Sequence, residues 1–84
     1  MYTKKYILKK IEEFGRHNIL YDDVEGTLCY LAYLKPGERG WILYQRNEWD
    51  WPHRIHTSDI EEVTYTDEHV IVTTQNTRFT FEVV

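Results

Sequence analysis

The chain has 84 residues, a net charge of −4 and an isoelectric point near 5.5. This length predicts one small domain, because a second hydrophobic core would not fit, and the acidic balance argues against binding of long nucleic acid, which requires a basic surface. A hydrophobic content of 42% and a charged content of 29% indicate a globular protein, in which an aromatic content of 15% is the unusual feature.

Residues 3–14 are predicted to form an amphipathic helix. Thr3 is a suitable N-cap residue and Gly15 suits the position just after the last helical turn. The lysines of this segment would face water, while its apolar stripe packs on the core; the segment is short for a helix that lies on a membrane. The apolar residues that recur at helical spacing are Ile7, Leu8, Ile11 and Phe14.

A polar connector over residues 16–26 follows the predicted helix. Its acidic side chains lack the spacing of a calcium-binding loop, so a solvated turn is expected. The apolar runs 28–34 and 41–44 are then predicted to be paired strands. Pro36 and Gly37 supply the turn chemistry between them.

The C-terminal part of the chain is predicted to be strands. Residues 58–61 have the spacing of a capping box, which predicts either one helical turn or a β-bulge. In the last strand, Phe79, Phe81 and Val83 alternate with polar residues and are predicted to face the core. After a brief strand at 54–57, the three clear strands of this part are predicted at 63–66, 70–74 and 78–83.

Together these elements predict an α+β fold: an N-terminal helix followed by a curled antiparallel sheet of about five strands. This architecture corresponds to an SH3-like half-barrel that the helix closes. An apolar strand covered on both faces, an exposed sheet edge and surplus aromatic residues also predict self-association, with a homodimer as the expected form.

The C-terminal third of the chain resembles a pattern in small proteins of bacteria and their phages. The resemblance is carried by the runs His56-Thr57-Ser58-Asp59-Ile60 and Val70-Ile71-Val72-Thr73-Thr74-Gln75-Asn76-Thr77-Arg78-Phe79-Thr80-Phe81. It implies the accessory class that phages encode: short, acidic, cytoplasmic, non-enzymatic proteins, some of which block host defence systems. It implies no catalytic residue.

The compartment predicted from the sequence is the cytoplasm. Cys29 is the single cysteine, which excludes an intramolecular disulfide and fits a reducing environment. No apolar run approaches the roughly 18 residues of a transmembrane helix. Glu12 and Glu13 interrupt any signal-peptide core near the N-terminus.

The segment from Arg46 to Arg54, called here the tryptophan loop (residues 46–54), is predicted to be the contact surface. Trp49 and Trp51 are two residues apart, so an extended backbone would place both indoles on one side, roughly 7 Å apart. Pro52 favours that extended form. The candidate binding residues in and next to this loop are Arg46, Trp49, Trp51, His53, Arg54 and His56.

Three interpretations of the tryptophan loop are open. Two indoles flanked by arginines suit a protein–protein hot spot. They also suit stacking on a planar guest, with the arginines and His53 as donors to an anion, which describes a nucleotide-like small molecule. Alternatively, the indoles fold back and plug the open end of the barrel. We adopt the first as the prediction: a non-enzymatic binding protein whose partner is another protein.

Neither a catalytic site nor a metal or cofactor site is predicted. His53 and His56 are separated by an odd number of residues and would lie on opposite faces of a strand, so they do not converge on a metal. The adjacent carboxylates lie in turns or on exposed edges, where nothing separates their pKa values for acid–base catalysis. The sequence contains no nucleophile elbow and no phosphate-binding loop.

Overall fold

Each strand of the sheet pairs antiparallel with its neighbours in sequence, and the last strand pairs back with the first, so that the sheet closes into a barrel. The computed structural model describes residues 4–84. The six strands are β1 (Tyr6–Glu13), β2 (Leu28–Tyr33), β3 (Arg39–Gln45), β4 (His53–Tyr65), β5 (His69–Thr74) and β6 (Thr77–Val83). A single 3₁₀ turn, Ile19–Tyr21, lies in the connector between β1 and β2.

The predicted α+β half-barrel is therefore wrong, and its N-terminal helix is strand β1 (Thr3, its proposed N-cap, lies outside the described residues). A β-bulge explains the error. The register of β1 against β6 slips by one residue at Lys9, between the pairs Leu8–Phe81 and Lys10–Thr80. The bulge separates the inward-facing Leu8 and Ile11 by three residues instead of two, which reproduces helical spacing within a strand.

The interior of the barrel is filled by alternate side chains of the strands, as expected for a small barrel. Phe79 and Phe81 are completely buried and Val83 packs against the same cluster, which confirms the predicted orientation of the last strand. The cluster includes side chains from all six strands, among them Leu8, Cys29, Ile42, Ile55, Val72, Phe79 and Phe81.

Strand β4 is long because each half of its length pairs with a different neighbouring strand. Its first half pairs with β3 and its second half with β5, and the register shifts between Ile60 and Glu62. The two strands predicted at 54–57 and 63–66 are thus one continuous strand. Of the two alternatives for residues 58–61, the structure has the bulge.

The connector between β1 and β2 packs against the barrel where a helix was predicted to close it. The Tyr21 ring meets Phe79 edge-on at 5.6 Å between centroids, and Val24 is completely buried. A Glu25 carboxylate oxygen accepts the Ile11 backbone N–H at 2.7 Å, where the short β1–β2 ladder has ended. Two core side chains and a carboxylate therefore hold the connector in place.

Buried threonine hydroxyls complete the interior near the start of β3. Thr57 Oγ1 accepts the Gly40 N–H at 2.8 Å and donates to the Ser58 carbonyl. Thr74 Oγ1 accepts the Thr77 N–H at 3.1 Å. Among the described residues, every buried side-chain nitrogen or oxygen has a hydrogen-bond partner, as stable interiors require.

In residues 4–84, no helix has the length and apolar character needed to cross a membrane.

Candidate functional site

The tryptophan loop joins β3 to β4 through a tight turn. The Asn47 carbonyl accepts the Asp50 N–H at 3.1 Å, and Asn47 Oδ1 accepts the Trp49 N–H at 2.9 Å. Asparagine favours such turns because its side chain replaces a backbone acceptor. The turn places Trp49 in its middle, so the predicted extended backbone is wrong at this residue. Because Trp49 lies in a turn, the two-residue spacing no longer predicts that both indoles lie on one side.

Asp50 braces the base of the loop. Its carbonyl accepts a hydrogen bond from Gln45 Nε2 at 2.7 Å, and its Oδ2 lies 3.0 Å from His53 Nε2. Partial burial opposes ionisation of this carboxyl, but the Arg46 N–H and the His53 ring outweigh it and lower the pKa of Asp50. The carboxylate therefore stays ionised and ties both ends of the loop together.

Both indoles of the loop project into solvent. Trp49 is 87% exposed and Trp51 is 84% exposed. This excludes the interpretation in which they plug the barrel. Two large apolar side chains that are this exposed in one loop make the loop the candidate contact surface.

Two of the predicted cationic residues lie against Tyr44. The His53 ring stacks on the Tyr44 ring with 5.2 Å between centroids, and the Arg46 guanidinium lies 5.9 Å from the centroid of the same ring. Tyr44 is itself almost completely buried. These contacts order the start and end of the loop through stacking and cation–π attraction.

The other two lie against Trp41, on the outer surface of the barrel. His56 stacks on Trp41 with 3.8 Å between centroids and an interplanar angle of 5°. The Arg54 guanidinium lies 5.6 Å from the Trp41 ring centroid. His53 and His56 therefore belong to opposite sides of β4, as their spacing predicted. The six candidate residues form two groups and a pair of free indoles instead of one pocket.

Trp41 is the residue that the sequence analysis missed. It was assigned only to a strand, although Trp41 and Leu43 alternate with Ile42 and Tyr44, and alternation places the two pairs on opposite faces. Ile42 and Tyr44 are buried, while Trp41 and Leu43 are half-buried on the outside. The available signal was the run of four consecutive large apolar residues in β3, Trp41 to Tyr44.

Neither an accessible thiol nor a metal-binding cluster accompanies the tryptophan loop in the described residues. Cys29 is completely buried, and burial raises the pKa of its thiol to about 11, so it is a core residue and not a thiolate nucleophile. Within residues 4–84, no group of three or more His, Cys, Asp or Glu side chains is arranged to hold a metal ion. The exposed indoles and the cations around them instead offer apolar area and hydrogen-bond donors.

A shallow groove of about 350 Å³ adjoins the tryptophan loop. Arg46, Asn47 and Glu48 line one side, and the outward-facing side chains of Ile7, Leu28 and Tyr30 contribute apolar area to the other.

Comparisons of the chain with protein-family models, curated proteins and solved structures found no significant match. The assignment of function therefore rests on this geometry.

Proposed function

We propose that this protein is a non-enzymatic binding protein that docks onto another protein through Trp49 and Trp51. The observation that carries the proposal is the exposure of both indoles, 87% and 84%, on a loop whose base is braced by Asp50. Tryptophan is among the most frequent residues at energetic hot spots. A braced loop loses less conformational entropy on binding than a free one.

The size of the effect indicates what else must take part. Two indoles that bury about 200 Å² each gain about 10 kcal/mol at ~25 cal/mol per Å². Association costs about 4–15 kcal/mol in lost freedom and ordering. The gain and the cost are of the same size, so further contacts must supply most of the net affinity. The groove beside the loop, to which Ile7, Leu28 and Tyr30 contribute apolar area, is the natural receptor for a side chain of the partner.

A protein partner fits this loop better than a nucleotide held between the indoles. The turn at Asn47–Asp50 removes the basis for two parallel indoles roughly 7 Å apart. The arginines expected to bind an anion already lie over Tyr44 and Trp41. Nucleotide capture by the loop stays a prediction. That the partner is a bacterial defence protein, blocked by a phage-encoded inhibitor, is a prediction that rests on the C-terminal resemblance alone.

Alanine at both Trp49 and Trp51 tests the proposal. Because these side chains contribute little to the core, the double variant should melt within about 2 °C of the parent. Its affinity for a partner isolated from bacterial lysate should fall by more than about 30-fold, the effect of losing at least 2 kcal/mol. Isothermal titration with the purified partner measures this change.

The matched control is alanine at both Ile19 and Leu20. These residues are also an exposed apolar pair, at 76% and 73%, but they lie in the β1–β2 connector. This control should retain the parent's affinity. Equal loss of binding in both double variants, or full binding without the indoles, would refute the role of the loop.

A further inference from the structure

A second cavity, separate from the tryptophan loop, lies where the β5–β6 turn approaches the start of β3 and the middle of β4. It has a volume of about 580 Å³, and no residue of the tryptophan loop lines it. Its size falls in the range of small-molecule sites, roughly 300–1,000 Å³. Its lining is mostly polar, whereas polar and apolar residues share the lining of the groove beside the loop.

Two arginines and a histidine, none of them in a salt bridge among the described residues, line this cavity. Arg39 is held by a hydrogen bond from its Nε to the Thr57 carbonyl at 2.8 Å, which fixes the guanidinium while its terminal nitrogens remain available. Arg16 and His56 line the same space. Among residues 4–84, none of these three side chains lies within salt-bridge distance of a carboxylate.

The surroundings of His56 disfavour the charged form of its ring. Desolvation of the His56 ring, followed by the nearby charge of Arg39, lowers the pKa of His56. His56 is fixed from behind by its stack on Trp41. A bound anion would offset the charge of Arg39 beside His56, and phosphate suits this cavity because guanidinium groups bind it through paired hydrogen bonds.

Two carboxylates line the cavity, and they differ in availability. Glu13 is occupied, since its Oε1 lies 2.8 Å from His17 Nδ1 and its Oε2 accepts the Asn18 N–H at 2.6 Å. Asp59 is exposed and lies opposite Arg39 in the β3–β4 register. None of the hydrogen bonds of the described residues involves the Asp59 carboxylate. A free carboxylate beside an anion site is suited to accept hydrogen bonds from hydroxyl groups of a ligand.

We propose that this cavity binds a small phosphate monoester that also carries hydroxyl groups, as a sugar phosphate does. Arg39 and Arg16 hold the phosphate, His56 donates to it, and Asp59 accepts a hydroxyl. The β5–β6 turn at Gln75 and Asn76 adds amide groups at the rim. The site does not depend on the tryptophan loop, so its failure and that of the proposed protein contact are distinguishable.

The test is a titration of the ¹⁵N-labelled protein with ribose 5-phosphate, inorganic phosphate and ribose, followed by NMR. The amide signals of Gly15, Ser58 and Asn76 should shift together. We expect ribose 5-phosphate to bind at least about fivefold more tightly than inorganic phosphate, because only the former reaches Asp59. Saturation with ribose 5-phosphate should also raise the pKa of His56, measured on its ring protons.

Three variants make the test specific. Arg39→Gln and Arg16→Gln should each weaken ribose 5-phosphate binding by about tenfold or more, the effect of one charge-assisted hydrogen bond. Arg16 is exposed in the connector, so Arg16→Gln should leave the fold intact. Arg39→Gln also removes a hydrogen bond to the Thr57 carbonyl, so a loss of binding in that variant alone would not separate binding from folding. The control is Arg78→Gln, since Arg78 pairs with Glu12 outside the cavity.

Three results would overturn the proposal. The first is no signal shift with ribose 5-phosphate at about 10 mM, an affinity too weak for a specific site. The second is equal weakening by all three arginine variants, which would mean unspecific attraction to positive charge. The third is an affinity for inorganic phosphate equal to that for ribose 5-phosphate, which would remove Asp59 and the hydroxyl groups from the site.

Discussion

The start of β3 contains no space for a side chain at Gly40, so Gly40→Ala should destabilise the barrel. A methyl group there would lie 2.8 Å from Ile60 Cδ1, 3.0 Å from the Tyr33 carbonyl oxygen and 3.2 Å from Thr57 Oγ1. Ile60 is only 2% exposed, so its side chain has no solvent to move into. The carbonyl of Tyr33 is backbone and cannot rotate away.

The expected cost follows from two opposing effects. Overpacking a filled interior costs about 1–3 kcal/mol, while alanine restricts the unfolded chain and returns about 0.4–1 kcal/mol. Because three neighbours are crowded at once, we expect a net loss of about 2 kcal/mol. In a domain of this size that corresponds to a fall of about 10 °C in Tm.

Urea denaturation followed by circular dichroism measures this loss, and Ile60→Val supplies the decisive comparison. The valine lacks Cδ1, the atom nearest to the added methyl group, and alone costs about 0.5–1.5 kcal/mol. The double variant should be more stable than the sum of the single changes predicts. Gly15→Ala, where a methyl group has no neighbour within 4 Å, is the control. Unchanged stability of Gly40→Ala, or strict additivity with Ile60→Val, would refute the crowding argument.

Three further predictions concern the core, a histidine and the oligomeric state. Phe81→Ala should cost about 3–5 kcal/mol by emptying a completely buried site; a Tm within about 2 °C of the parent contradicts this. Hydrogen bonds to Asp22 and then Glu13 raise the pKa of His17 above its ordinary 6.5. Its contribution should be complete below pH 6.5 and disappear as the pH rises through the raised value. His17→Gln should therefore lower the urea midpoint more at about pH 5.5 than at about pH 8.5; an equal effect at both values contradicts the linkage. Light scattering at high concentration should detect a homodimer, and a mass of 10.3 kDa alone would exclude it.

The strands were predictable wherever inward and outward residues alternate without interruption. Phe79 and Phe81 alternate with polar residues, and the structure has them inside. At Lys9 the same rule fails, because one extra residue shifts the phase of β1. Whether a residue will bulge depends on the partner strand, here β6, and a search for local periodicity does not include that partner.

The closure of the barrel depends on long-range contacts that composition does not reveal. Ile19, Leu20 and Tyr21 are consecutive apolar or aromatic residues, yet only Tyr21 packs on the core while Ile19 and Leu20 face solvent. Asp23 has a φ of 62°, a conformation that asparagine and aspartate adopt more readily than most residues. This turn directs Val24 into the interior, and Glu25 then reaches Ile11.

For the tryptophan loop, the residue types were informative and their arrangement was not. An apolar indole is equally suited to a core and to an interface, so composition alone left both interpretations open. In the structure both indoles are exposed, on a loop that polar residues hold in place. Asn47 forms the turn of this loop, and Asp50 ties its ends. Pro52 restricts Trp51, the residue before it, and this restriction does not extend to Trp49.

Closure of the barrel changes which contacts are available to a partner. The homodimer prediction assumed an exposed sheet edge, but every strand has two neighbours in the closed sheet, and closure removes the edge that would template strand addition. Association must then proceed through side chains on the outer surface. Trp49 and Trp51 are the most exposed large apolar residues of the described chain. The same two residues are therefore the first candidates for self-association as well as for binding another protein, and the double alanine variant should affect both.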